Sequence, residues 1–156
     1  MVLATKGRFS PDTDVNAAGS SRRGLRRSLD GSQRRLDRDH MDLYQIHAWD
    51  PITPVEETLT FLDDAVRSGK VNYIGLSNFT GWQLQLMIST ARTLSLTLPV
   101  TLQQQYSLLS RESEWEVVPA ALHNNVGILP WSPLEANQTA TAENVSGGCL
   151  LYAVKD

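Results

Sequence analysis

Five short apolar runs recur along this chain, and the gaps between them carry helix-opening signals. The runs are Val2-Leu3-Ala4-Thr5, Met41 to Ile46, Val71 to Leu76, Val100-Thr101-Leu102 and Gly127-Ile128-Leu129. The later ones are roughly 30 residues apart, the length of one strand-helix unit. They read as apolar throughout rather than alternating. That predicts strands buried on both faces, as in a parallel sheet covered by helices. Thr53-Pro54-Val55-Glu56, Thr80-Gly81-Trp82-Gln83 and Ser113-Glu114-Trp115-Glu116 each match a capping box. In that motif a hydroxyl and a Glu or Gln three residues later satisfy orphan backbone N–H groups. Pro54 falls at the first helical position, where its missing N–H costs nothing. The stripe Leu59, Leu62, Ala65 and Val66 follows the first box, and Gly69 is placed to end that helix. Leu84, Met87 and Ala91 follow the second box, and Val117, Ala120, Ala121 and Leu122 the third. The pattern predicts an α/β fold of about five parallel βα units.

Length limits what those units can build. A chain of 156 residues is one domain, and a complete (β/α)8 TIM barrel needs at least about 200. A hydrophobic content of 41% supports a core, and a net charge of −3 gives no global attraction to nucleic acid or an anionic membrane. Seven arginines lie between Ser20 and Arg38. Leu25, Leu29 and Leu36 form an apolar stripe among them, Asp30, Asp37 and Asp39 dilute the charge, and no aromatic is interleaved for base stacking. That segment reads as a helix with a solvated face. No apolar run approaches the roughly 20 residues of a membrane span, and Met1 to Pro11 lacks the apolar segment of a signal peptide. The single cysteine, Cys149, cannot form an internal disulfide. These features predict a cytoplasmic protein. The Asn-x-Ser/Thr triplets at Asn78, Asn137 and Asn144 then read as chance matches. Beyond Leu134 periodicity is lost, so 1–134 reads as the domain and 135–156 as a poorly ordered tail. Its apolar end, Cys149 to Val154, reads as a loose strand.

The strand ends carry the chemistry. The first run ends in Lys6, the second in His47, the third in Ser77 and Asn78, the fourth in Gln103, the fifth in Trp131 and Ser132. In a parallel β/α arrangement these ends gather on one face, where active sites lie. Each residue alone has a plainer explanation: a solvated lysine, a structural histidine, a core tryptophan. Their joint placement in register with the fold points to a site.

These segments resemble the aldo-keto reductases, which are nicotinamide-dependent oxidoreductases on a (β/α)8 barrel. Val2-Leu3-Ala4-Thr5-Lys6 looks like that barrel's third strand, with Lys6 as the catalytic lysine. Asp42-Leu43-Tyr44-Gln45-Ile46-His47 looks like the fourth, with His47 as the catalytic histidine. Gly75-Leu76-Ser77-Asn78-Phe79 looks like the fifth and Leu102-Gln103-Gln104-Gln105-Tyr106 the sixth. The resemblance implies that Ser77, Asn78 and Gln103 hydrogen-bond the nicotinamide carboxamide. Leu129-Pro130-Trp131-Ser132-Pro133-Leu134 looks like the seventh strand, with Trp131 stacked on the nicotinamide ring and Ser132 and Leu134 at the cofactor.

The implied activity is reduction of a small-molecule carbonyl to an alcohol with NADPH, with NADH not excluded. The resemblance also places the start of the chain at the third strand and its end before the eighth. The family's aspartate and proton-donating tyrosine would then be missing, which predicts a truncated barrel with impaired turnover. The alternatives are a non-catalytic binding module like a potassium-channel β subunit, or an inactive truncated product. Five strands cannot close a barrel, so the outer strands are expected to self-associate through unpaired edges.

Overall fold

The computed structural model describes residues 2–9 and 18–133. Five strands, β1 (Ala4–Gly7), β2 (Met41–Ile46), β3 (Val71–Ser77), β4 (Thr101–Gln105) and β5 (Gly127–Trp131), form one sheet in sequential order, every neighbouring pair parallel. Helices α1 (Arg22–Leu36), α2 (Val55–Arg67), α3 (Gly81–Thr93) and α4 (Val117–His123) fill the crossovers, with a short 3-10 turn at Glu112–Glu114 before α4. This is the expected α/β architecture, with four βα units and a fifth strand among the described residues, in an open barrel-like sheet. Leu134 and the tail 135–156 lie outside the described residues, as does the expected strand at Cys149 to Val154.

The helices begin where side chains can take up free N–H groups, though not always as the capping pattern predicts. Ser21 opens α1 and accepts from the Gly24 N–H at 3.2 Å. Thr80 and Gln83 form the expected capping box of α3, with Gln83 Oε1 accepting from the Thr80 N–H at 2.9 Å. The other two boxes do not form. Pro54 is the cap of α2 rather than its first residue, because Thr53 is drawn away: its hydroxyl donates to Asp50 Oδ2 at 2.8 Å. Ser113 donates to the Gln105 carbonyl at 3.0 Å, and α4 starts four residues later. Glu116 instead reaches across to α3, where its Oε1 accepts from the Trp82 N–H at 2.7 Å. Gly69 follows the last turn of α2 with φ of 74°, as the sequence predicts.

The core lies between the helices and one face of the sheet. Leu25 and Leu29 of α1 are buried there, but Leu36, in the last turn of α1, is 42% exposed. Tyr44 is fully buried, donates to the Leu25 carbonyl at 3.1 Å, and has its phenol pKa pushed up to about 12 by burial. It occupies the space beside Gly7, where a Cβ would come within 2.1 Å of the phenol oxygen. Asp63 of α2 holds the loop after α3, accepting from the Thr97 N–H at 2.9 Å and the Thr97 hydroxyl at 2.7 Å.

Successive residues of a strand point to opposite faces, and the faces differ. Tyr44, Ile46, Ile74, Leu76 and Leu102 join the helix-side core. Gln45, Gly75 and Thr101 meet on the other side, where a Cβ on Gly75 would lie 2.3 Å from Thr101 Oγ1 and 3.2 Å from Gln45 Cγ. The expectation of strands apolar on both faces is therefore corrected. Toward the C-terminal ends of the strands polar side chains occupy that far face, while Leu43 keeps it apolar and buried nearer the start of β2.

Candidate active site

The parallel ladder runs slightly past two of the strands. The His47 N–H donates to the Gly7 carbonyl at 3.0 Å, and the Asn78 N–H donates to the Gln103 carbonyl at 2.9 Å. His47 and Asn78 are thus pinned one step beyond β2 and β3, at the C-terminal edge of the sheet. Lys6 arrives from β1, Gln103 from the middle of β4 and Trp131 as the last residue of β5. Lys6, His47, Ser77, Asn78, Gln103 and Trp131 surround one open hollow of about 360 Å³. Six of the eight residues singled out from sequence therefore meet in one place. Ser132 turns off with φ of 51° and is not part of the wall. Leu134 lies outside the described residues.

Asn78 is the junction of the site. It sits in the left-handed region at φ of 56°, which asparagine adopts more readily than most residues. Its Nδ2 donates to the His47 carbonyl at 3.0 Å and to Ser77 Oγ at 3.1 Å. Its Oδ1 accepts from Trp131 Nε1 at 2.9 Å. One amide therefore ties together the ends of β2, β3 and β5 and orients the indole. Nothing in the sequence indicates this clamp, because it depends on the side-chain positions of three separate segments.

His47 has its pKa lowered, first by burial and then by the positive charges of Lys6 and Arg8. At neutral pH the ring is uncharged, so one nitrogen carries a proton to donate and the other accepts. Phe9 stands edge-on to this ring, with centroids 5.1 Å apart, and the Arg8 guanidinium carbon lies 4.4 Å from the Phe9 centroid. Arg8 and Phe9 were not singled out by sequence. Only their closeness to Lys6 could have flagged them, since Arg8 adopts φ of 105°, a backbone state that no side-chain pattern reveals. Gln45 was also missed. It lies two residues before His47 on the same face and is buried, its Nε2 3.5 Å from the Leu76 carbonyl.

Across the sheet edge, Trp49 packs edge-on against Phe79 at 5.6 Å and against Trp82 at 5.5 Å. This aromatic knot braces the loop after His47 against the start of α3. Asp50 ties the same loop down, accepting from the Ser20 N–H at 2.7 Å and the Ile52 N–H at 3.0 Å. Among the described residues no group of three or more His, Cys, Asp or Glu could hold a metal ion, and no helix is long and apolar enough to cross a membrane.

The donor set suits a flat ligand carrying an amide. Gln103 lines the hollow, and no side chain among the described residues holds its amide. Ser77 accepts from Asn78 and keeps its own O–H to donate. Trp131 offers a large ring fixed by its indole N–H.

Comparison with known proteins agrees. The model of the aldo/keto reductase family matches residues 1–148. An uncharacterized oxidoreductase, YrpG, of Bacillus subtilis (strain 168) is 45% identical over 139 residues, covering 86% of this chain and 42% of that protein. The versiconal hemiacetal acetate reductase of Aspergillus parasiticus is 33% identical over 150 residues, covering 91% of this chain and 43% of that protein. The aldo-keto reductase dtxS3 of Metarhizium robertsii is 36% identical over 136 residues, covering 87% of this chain and 37% of that protein. The chain spans about two fifths of the length of these relatives. With a family model matched over nearly its whole length, this chain belongs to the aldo/keto reductase family.

Proposed function

We propose that this chain carries the nicotinamide half of a carbonyl reductase site, using NADPH or NADH to reduce a small-molecule carbonyl compound to an alcohol. The observation that carries this reading is the convergence of Lys6, His47, Ser77, Asn78, Gln103 and Trp131 on one hollow. Gln103 and Ser77 would hold the carboxamide, with Asn78 exchanging one of its present bonds to join them. Trp131 would cover one face of the ring, so that reaction takes place on the other. When bound, the cofactor supplies the hydride. The chain's own residues then serve the charge that develops on the carbonyl oxygen. Neutral His47 donates a hydrogen bond to that oxygen, the Lys6 ammonium stabilises the negative charge that hydride addition leaves on it, and the proton that completes the alcohol comes from water entering the open hollow. Fixing both partners in a near-attack geometry lowers the barrier further.

The test is an NADPH fluorescence titration of the purified chain. Saturable enhancement at micromolar concentration supports the reading, and a flat response sinks it. In the same experiment Asn78→Ala should weaken binding about 10-fold, the loss of one good hydrogen bond in a desolvated site.

We also propose that the chain works in the cytoplasm and that it self-associates. The first rests on its lone cysteine, Cys149. The second rests on β1 and β5, the outer strands of the described sheet, whose free edges are templates for pairing. Sedimentation velocity that returns only monomer across a wide concentration range would refute self-association.

A further inference from the structure

Beside the hollow, one cation has no role in the reading above. Arg8 directly follows β1 and holds φ of 105°, outside the ordinary range of a residue with a side chain. Strained backbone of this kind persists where the surroundings over-determine it, and it clusters at ligand sites. Here the surroundings are visible. The Gly7 carbonyl before Arg8 accepts from the His47 N–H at 3.0 Å, and the Arg8 carbonyl accepts from the Gly19 N–H at 2.8 Å. The peptide is therefore held on both sides, and the side chain is aimed rather than loose. Its guanidinium lies over Phe9, and Phe9 in turn stands against the His47 ring. Arg8 Nε is buried without a hydrogen-bond partner. No carboxylate lines the hollow among the described residues.

A partly buried guanidinium one aromatic ring away from His47 suits a planar anion. Arginine takes a carboxylate in a bidentate fork that a lysine cannot match. Phe9 is 54% exposed, so its ring is available to a ligand as well as to Arg8.

We propose that Arg8 and Phe9 select the substrate of the site described above, and that the substrate class is aryl carbonyl compounds bearing a carboxylate. The carbonyl sits at His47, the aryl ring packs on Phe9, and the carboxylate meets Arg8. The positive charge that Arg8 contributes at His47 agrees with their closeness. This assignment rests on the reductase reading for its orientation and can fail separately from it.

The experiment compares two ketones that differ in charge and by one methyl group, 4-acetylbenzoate and its methyl ester. Each is titrated calorimetrically into the full chain, with and without NADPH. The acid is expected to bind about 10-fold or more tighter than the ester, the usual effect of one charge-assisted pair. Arg8→Gln should abolish that preference, so that acid and ester bind the variant equally. As a check that needs no variant, 0.5 M salt should erode the preference in the native chain, since it rests on a charge pair at the mouth of the site. Equal affinities in the native chain overturn the proposal, as does a preference that survives Arg8→Gln. A preference lost in Lys6→Met but kept in Arg8→Gln would assign the anion to Lys6 instead. Carboxylate selectivity without any NADPH binding would sink the reductase reading and leave the anion site standing.

Discussion

The two faces of the sheet are made from alternate residues of the same five strands, yet they have opposite characters. Toward the helices stand Tyr44, Ile46, Ile74, Leu76 and Leu102, all buried in one core. On the far side stand Lys6, Gln45, Ser77, Thr101, Gln103 and Gln105. There Lys6 is in register with Gln45, Gln45 with Gly75, Gly75 with Thr101 and Thr101 with Gly127, a continuous row across the sheet. The row above it carries Ser77 beside Gln103 and Gln103 beside Leu129. The helix face supplies stability, since each buried aliphatic side chain contributes about 1.5–3 kcal/mol. The far face supplies little, and even leaves the buried Thr101 hydroxyl without a partner. Its value is position. A period-two strand lets one backbone serve both ends, because a change on one face leaves the other nearly untouched.

That division can be broken experimentally, and the sharpest attempt is on the helix side. Leu102→Ala removes a fully buried side chain and should cost about 2–5 kcal/mol in urea unfolding. A loss well under 1 kcal/mol would mean that the helix-side core does not hold the sheet. Gly75→Ala probes the exception, a far-face position where packing is tight. The added methyl meets Thr101 Oγ1 at 2.3 Å and should cost about 1–3 kcal/mol, and a neutral result would show that the concave face is loose. Gln103→Ala, beside Leu102 but on the far face, should change stability by no more than about 0.5 kcal/mol. The same variant should weaken NADPH binding about 10-fold. Instability with unchanged binding would reverse the assignment of the two faces.

The smallest effect is a pH dependence. The folded pKa of His47 is depressed, so the unfolded chain takes up a proton first as pH falls. Stability should be unaffected by this residue above its ordinary pKa of about 6.5, decline as pH drops through that value, and level off below the folded pKa. Comparing urea midpoints of the native chain and His47→Gln between neutral and mildly acid pH isolates this contribution. A native chain that gains stability relative to His47→Gln over that interval would contradict it.

Much of the site was legible because strand ends are legible. His47 and Asn78 follow apolar runs directly, and a parallel fold brings such ends together whatever their side chains. Strand limits were less exact. β1 runs Ala4–Gly7 rather than from Val2, so Lys6 lies inside it. β4 runs on through Gln105, so Gln103 sits mid-strand. Two capping boxes failed because Asp50 and the Gln105 carbonyl, both outside the four-residue motif, offered Thr53 and Ser113 other partners. The arginine-rich helix formed as expected from its leucines. Leu36, the last residue of that helix, escaped burial.

The sequence by itself determined the repeat of strand and helix, the parallel sheet and the chemical groups that reach its C-terminal edge. Those follow from local pattern, which short-range physics reads directly. Only the tertiary structure decided that Asn78 would clamp His47 to Trp131, that Gly7 and Gly75 must lack side chains, and that Arg8 would be turned toward His47 across Phe9. Each of these is a contact between segments far apart in the chain or a backbone angle imposed from outside. Neither leaves a periodic trace in the residues themselves.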